Sequence, residues 1–170
     1  DAMADAVTAC EATMEAAGAL NLKLDPDEAA DCLADGITKT YKRGRKAFKK
    51  ASKSGDAEHW HEVRKRMKYH AMHCRLLRHA WPGSMMLRAR RAKAIADLLG
   101  DDHDLAVLAA LADDEPDQLG DSGPRASLSQ AIGLTSERLR SEAAEQAEPL
   151  LADNPGRLRD AVGALCRLAA

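Results

Sequence analysis

Five basic side chains, His61, Arg64, Lys65, Lys68 and Arg75, fall on one line if residues 56–80 form a single helix. At 100° per residue they lie, with Met72 and His79, within about 40° of each other. Trp60, Val63, Met67, His70, Cys74, Leu77 and Trp81 fall on the opposite side. The cationic stripe from His61 to Arg75 is roughly 21 Å long at the helical rise. The preceding segment repeats the device. Lys42, Arg45, Lys46, Lys49 and Lys53 follow i, i+3, i+4, i+7 and i+11, opposite Ile37, Tyr41, Gly44, Phe48 and Ala51. Like charges at such spacing destabilise a helix by about 0.2–0.5 kcal/mol a pair, so a single-signed face needs a reason. Arg offers a fork that matches phosphate oxygens, and Lys offers a compact charge. The chemistry implied is capture of a polyanion.

The histidines offer a second kind of chemistry. Five of the six lie in the basic segment. His61 sits on the stripe, where a phosphate could accept its proton in a hydrogen bond. His70 falls on the apolar face and reads as a core residue, His73 is intermediate, and His59 and His79 sit near helix ends and read as exposed. His103 stands in Asp101-Asp102-His103-Asp104, a group of metal-competent ligands. His70 and Cys74 share an i, i+4 spacing. A histidine-based metal site or a phosphoryl acceptor at His61 or His103 is therefore the alternative to polyanion binding. A dense cationic field opposes a divalent ion, and no metal ligand set is assigned.

Catalysis has little to build on. The chain has no G-x-S-x-G, no P-loop, no H-E-x-x-H and no dinucleotide glycine pattern. Ser54 and Ser84 read as turn residues. The expectation is a non-enzymatic protein without cofactor. Nucleic-acid readers add groups that stack on bases or read their edges. Tyr41, Phe48, Trp60 and Trp81 map to apolar sides, and only Tyr69 lies near an edge of the cationic stripe. A bare, repetitive phosphate chain suits this surface better than nucleic acid.

Helices must position these residues. Ala (34) and Leu (21) far outnumber Val (4) and Ile (3), so helix formers dominate and strand formers are scarce. The fold class is all-α. A helix is expected over 2–20. Asp25-Pro26-Asp27-Glu28 reads as N-cap, N1 and capping-box Glu of a second, ending near Ser52. Asp56 caps a third to Ala80, and Pro82-Gly83-Ser84 leads into a fourth over 85–99. Gly100-Asp101 reads as a kink or short turn, with Asp101 capping a further helix over 103–112. Residues 113–123 form a loop, and helices over 125–148 and from Asn154-Pro155-Gly156 to the end complete the set. About seven helices with short links make a single-domain antiparallel bundle over 1–170. Consecutive helices then run antiparallel, which would set the two cationic stripes side by side.

The charge totals conceal this organisation. The net charge is −2, yet 18 of the 25 basic residues and three of the 27 acids lie in residues 39–93. That stretch carries +15 and the remainder −17. No run of apolar residues is long enough to span a membrane, and the acids Asp5, Glu11 and Glu15 do not suit a signal peptide. Cys10, Cys32, Cys74 and Cys166 are widely spaced in apolar helical settings, which reads as buried free thiols of a cytoplasmic protein.

His61-Glu62-Val63-Arg64-Lys65-Arg66-Met67-Lys68-Tyr69-His70, with Leu98-Leu99-Gly100-Asp101-Asp102-His103-Asp104-Leu105-Ala106-Val107-Leu108, resembles the CHAD family, the conserved histidine α-helical domain. Tyr41-Lys42-Arg43-Gly44-Arg45-Lys46-Ala47 is similar to the basic helix that precedes the first motif there. Ala71 and Met72 stand where the family often has aromatics. The resemblance implies two related four-helix bundles and a basic surface or pore that binds inorganic polyphosphate. It also implies links to triphosphate-processing domains or polyphosphate granules. The positions it carries over are His61, Arg64, Lys65 and Lys68, with Lys42, Arg43, Arg45 and Lys46; the role of His103 stays open. With Lys49 and Arg75 from the stripes, these form the expected polyphosphate site. Only one His-x-x-Arg-Lys motif is present, so the resemblance implies that an N-terminal half is missing and that a homodimer would supply the other wall of a pore.

Overall fold

The computed structural model describes residues 2–19, 24–114 and 122–170. They form six α-helices: α1 (Ala2–Gly18), α2 (Pro26–Ser54), α3 (Ala57–Leu76), α4 (Pro82–Asp114), α5 (Ser122–Leu150) and α6 (Pro155–Ala169). A single 3-10 turn, Leu77–His79, joins α3 to the approach of α4. No strand occurs among the described residues, and none of their helices is long and apolar enough to cross a membrane. The all-α expectation holds, with six α-helices in place of about seven.

Local chemistry sets most boundaries. The backbone N–H of Glu28 donates to Asp25 Oδ1 at 2.9 Å, and Asp25 N–H donates back to Glu28 Oε2 at 3.4 Å. With Pro26 at the first helical position, this is the expected capping box of α2. α2 ends at Gly55, whose φ of +67° lets its N–H reach Ala51 O at 2.9 Å. Asp56 then caps α3 by accepting from Glu58 N–H at 2.8 Å. Asn154 caps α6 through Gly156 N–H at 2.8 Å. The expected loop over 113–123 lies mostly outside the described residues.

The short turn and new helix start expected at Gly100-Asp101 do not occur. α4 runs unbroken through it, 33 residues and roughly 50 Å long. Glycine here serves packing rather than a turn. Gly100 is buried, and a Cβ on it would lie 3.5 Å from Arg64 Nε and 3.6 Å from Arg64 Nη2. Its missing side chain makes room for the Arg64 guanidinium against α4. Gly44 does the same between α2 and α3, where a Cβ would come within 3.1 Å of the Met67 side chain.

α2, α3, α4 and α5 pack in sequence, and α6 returns to lie against α2. The core is built from Ile37 and Tyr41 of α2, Val63, Met67 and Cys74 of α3, and Met85, Ile95 and Leu99 of α4, all under 2 % exposed. Ala143, Ala147 and Leu150 of α5 and Leu158 and Val162 of α6 close it. The apolar faces expected of α2 and α3 are thus the faces that are buried. The thiols are only partly as expected: Cys74 is buried and Cys166 half-buried, but Cys10 and Cys32 are exposed, on helix faces turned to solvent rather than to the core. All four are free.

Candidate functional site

A groove of about 460 Å³ runs between α3 and α4. Arg64, Lys68 and Arg75 line it from α3, one helical line at i, i+4 and i+11. From α4 come Lys93, Asp97, Asp101 and Asp104, with Gly100 in the floor. Arg64 Nε is buried and has no hydrogen-bond partner. Its planar head lies on the bare backbone at Gly100. A cation held this way is half-buried and still in need of an acceptor. Lys68 and Arg75 are exposed.

The two walls differ in sign. Lys93 is paired with Asp97 on its own helix, so the α4 wall is net acidic, while the α3 wall is cationic. Asp101, expected as a helix cap, is an exposed mid-helix residue of that acidic wall. Asp102, beside it, is buried and takes Arg140 Nε of α5 at 2.9 Å and 3.0 Å on its two oxygens. Arg140 Nη1 also donates to Gly55 O at 2.9 Å, which ties α4 and α5 to the α2–α3 turn.

The remaining stripe residues separate. His61 lies beyond the groove, its ring 4.7 Å from that of His103, in a smaller cleft of about 270 Å³ with Leu99, Ala106 and Val107. His61 Nδ1 is buried without a partner. Lys65 stands outside the groove and pairs with Glu62 at 2.8 Å, which Arg66 also engages. Lys65 first, then Arg66, hold the Glu62 carboxyl below the usual carboxylate range. Arg66 also approaches α2, its Cβ 3.7 Å from the position of a Cβ on Gly44.

Lys42, Arg43, Lys46 and Lys49 are exposed on α2, and none of them lines the groove. Arg45 is half-buried and donates from Nη1 to Asp153 O at 3.0 Å, toward the α5–α6 turn. The α3 stripe therefore forms its groove with α4, and no residue of the α2 stripe lines that groove. The cause is the continuous α4 and its Gly100 seat for Arg64.

Outside the groove, His70 is the core residue expected. It is 1 % exposed, its ring 5.5 Å from that of Tyr41 and its Nε2 3.7 Å from Cys74 Sγ. Burial, helped by the nearby Arg88 charge, pushes its pKa down to about 4. Burial also pushes the Cys74 thiol up to about 12, and lowers His73. Neither His70 nor Cys74 is thus a group for ordinary acid–base or thiolate chemistry. His79 is exposed as expected; His59 is half-buried, its Nδ1 2.6 Å from Ser54 Oγ. Among the described residues no three His, Cys, Asp or Glu side chains group closely enough to hold a metal ion.

Pairing separates the basic segment from the rest. Of the 18 basic residues in 39–93, only Lys65, Arg66, Arg88 and Lys93 form an ion pair with a described carboxylate. By contrast Arg159 and Arg167 of α6 are engaged by Asp35 at 2.5 Å and by Asp31 at 2.8 Å and Asp27 at 3.1 Å. The family model for the CHAD domain matches residues 2–113, which takes in α1 to α3, α4 up to its last residue, and every residue of the groove. The chain belongs to the CHAD domain family. Searches of curated proteins and of solved structures gave no match. The CHAD match ends within α4, so Arg140 and the acid-paired arginines of α6 lie outside it. Lys93 and Asp97 escaped the reading of the sequence, and Asp101 and Asp104 were read only as a helix cap and as metal-competent ligands, although the four recur at helical spacing. An assumed turn at Gly100 divided them between two elements.

Proposed function

We propose that this CHAD domain is a non-catalytic module that binds inorganic polyphosphate. The observation that carries the reading is the set of cations in 39–93 left without carboxylate partners among the described residues, Arg64, Lys68 and Arg75 foremost among them. Folded chains do not keep so many like charges together without cost, and a polyanion relieves that repulsion. The family's association with polyphosphate- and triphosphate-related proteins supports the same ligand.

Phosphate oxygens accept from Arg64, Lys68 and Arg75 along α3, with His61 at one end. The guanidinium of Arg64 supplies the unmet Nε donor. Asp97, Asp101 and Asp104 repel a polyanion from the α4 side and hold it to the α3 rim. Lys42, Arg43, Arg45, Lys46 and Lys49 of α2, with Lys65, extend the attractive field for longer chains.

Titration of long-chain polyphosphate into the protein tests this. If about five phosphates are engaged, counterion release weakens binding on the order of a hundredfold between 50 and 200 mM salt. The Arg64→Glu, Lys68→Glu double variant is expected to lose binding while its circular dichroism stays helical. Binding that ignores salt, or that survives in the double variant, overturns the reading.

A further inference from the structure

A cavity of about 610 Å³, larger than the α3–α4 groove, opens between the start of α4 and the α5–α6 turn. Trp81 and Arg88 line it from one side, and Asp153, Arg157 and Leu158 from the other. A smaller cleft of about 300 Å³ shares Trp81, Arg88 and Asp153 and adds Ser84, Leu87 and Arg91. Neither has a residue in common with the α3–α4 groove. Asp153, Arg157 and Leu158 lie beyond the family match, which ends at residue 113. The site is thus built partly from segments that the family model does not cover.

Three unlike surfaces meet there. Trp81 is half-buried, packed on the core while still lining both clefts. Arg88 Nη2 pairs with Asp153 Oδ2, so those two charges offset each other. Asp153 Oδ1 accepts from no described residue and stays open as an acceptor. Arg157 and Arg91 are exposed, and neither side chain engages a described carboxylate. The first turn of α6 adds no donor of its own, because Asn154 Oδ1 already takes the N–H groups of Gly156 and Arg157. An anion here therefore falls to the Arg157 guanidinium. A pocket of this size, with an aromatic wall and a few polar groups, has the form of a small-molecule site.

A bare phosphate chain would use one of these surfaces and be opposed by another. A base stacks on an aromatic face, a ribose hydroxyl donates to a carboxylate, and phosphate oxygens accept from a guanidinium fork. A nucleoside phosphate presents all three groups. We propose that the cleft binds a nucleoside phosphate, its base on Trp81, a ribose hydroxyl on Asp153 Oδ1 and its phosphates at Arg157. Arg91, in the smaller cleft, keeps the local potential positive. One indole serves one base, not the run of bases in a nucleic-acid strand. The proposal does not depend on polyphosphate as the ligand of the groove.

Adenosine triphosphate and inorganic triphosphate are the probes that test it. Trp60 is 5 % exposed, so a change in tryptophan fluorescence on ligand addition reads Trp81. Adenosine triphosphate is expected to change the fluorescence of the unmodified chain saturably, and Arg157→Glu to weaken that binding at least tenfold. Arg157 is exposed, and circular dichroism checks that the variant stays helical. Calorimetry on the Arg64→Glu, Lys68→Glu variant then compares the two probes with the groove disabled. Adenosine triphosphate is expected to bind there at least tenfold more tightly than inorganic triphosphate. No fluorescence change, unaltered affinity in Arg157→Glu, or inorganic triphosphate binding as tightly as adenosine triphosphate each overturns the proposal. Long-chain polyphosphate binding is read separately on the same proteins, so either reading can fail alone.

Discussion

At the scale of single residues, burial decides which of the chemically capable side chains are available. His70 and Cys74 have ligand spacing, but the core has absorbed both. Tyr41 is likewise spent on structure: its hydroxyl donates to Leu150 O at 3.3 Å and Asp153 O at 3.2 Å, and Arg88 stands 5.9 Å from its ring. Burial of His70 has a consequence for stability. Its pKa falls from an ordinary 6.5 to about 4 in the folded chain. The unfolded chain therefore binds this proton more readily than the folded one. The stability due to neutral His70 is complete above pH 6.5 and is lost as pH falls toward 4. A shift of that size corresponds to about 3 kcal/mol. Urea unfolding followed from about pH 7 to 4 is expected to show a loss of this order. His70→Leu removes most of the slope, leaving a smaller part for His73, which burial also lowers. A slope unchanged in His70→Leu would place the titrating group elsewhere.

At the scale of elements, α2 shows how one helix can serve two ends. Its first part carries Asp27, Glu28, Asp31 and Asp35, and its later part runs from Lys39 to Lys53. That order matches the helix dipole, acids at the amino end and bases at the carboxyl end. The acids bind Arg159 and Arg167 of α6, and the bases are left outward. α4 is fixed in a different way, through Asp102 and Arg140. Asp102→Ala would leave Arg140 without its charge partner, and a loss of about 3–5 kcal/mol is expected in thermal or urea unfolding. Asp102→Leu combined with Arg140→Met is expected to recover much of it, since an apolar pair leaves no orphaned charge. No recovery would show that the bond to Gly55 O carries the effect. Capping residues and apolar periodicity made α2, α3 and α6 legible in the sequence, because those signals act within a few residues. The course of α4 was not legible. Gly100 looks like a breaker by local propensity, and its real constraint, the Arg64 head, is 36 positions away in the chain. Arg140 was hidden for the same reason, as nothing near it in sequence marks a partner on α4.

At the scale of the whole molecule, the small net charge is a balance of two regions with different fates. Acids at the start of α2 find partners on α6, while most bases of 39–93 find no carboxylate among the described residues. The field along 39–93 is consequently that of its unpaired bases, not of the sum over the chain. That field alone would attract any polyanion, so selectivity must come from what else the surface offers. Stacking on aromatic faces is the main device for holding single-stranded nucleic acid. Here Tyr41 and Trp60 are buried, Phe48 and Trp81 are half-buried against the core, and Tyr69 is the exposed aromatic, with Arg66 6.0 Å from its ring. Each base stacked on an aromatic contributes about 1–3 kcal/mol, and one ring cannot supply a run of such contacts. Bases would remain as bulk between the phosphates and the α3 rim, and they space the charges more widely. At equal phosphate concentration, long-chain polyphosphate is therefore expected to displace labelled single-stranded DNA from the protein. Fluorescence anisotropy of the labelled strand reads the exchange. Displacement that needs a large excess of polyphosphate, or a strong loss of DNA binding on Tyr69→Ala, would mean that the surface holds bases as well as phosphates.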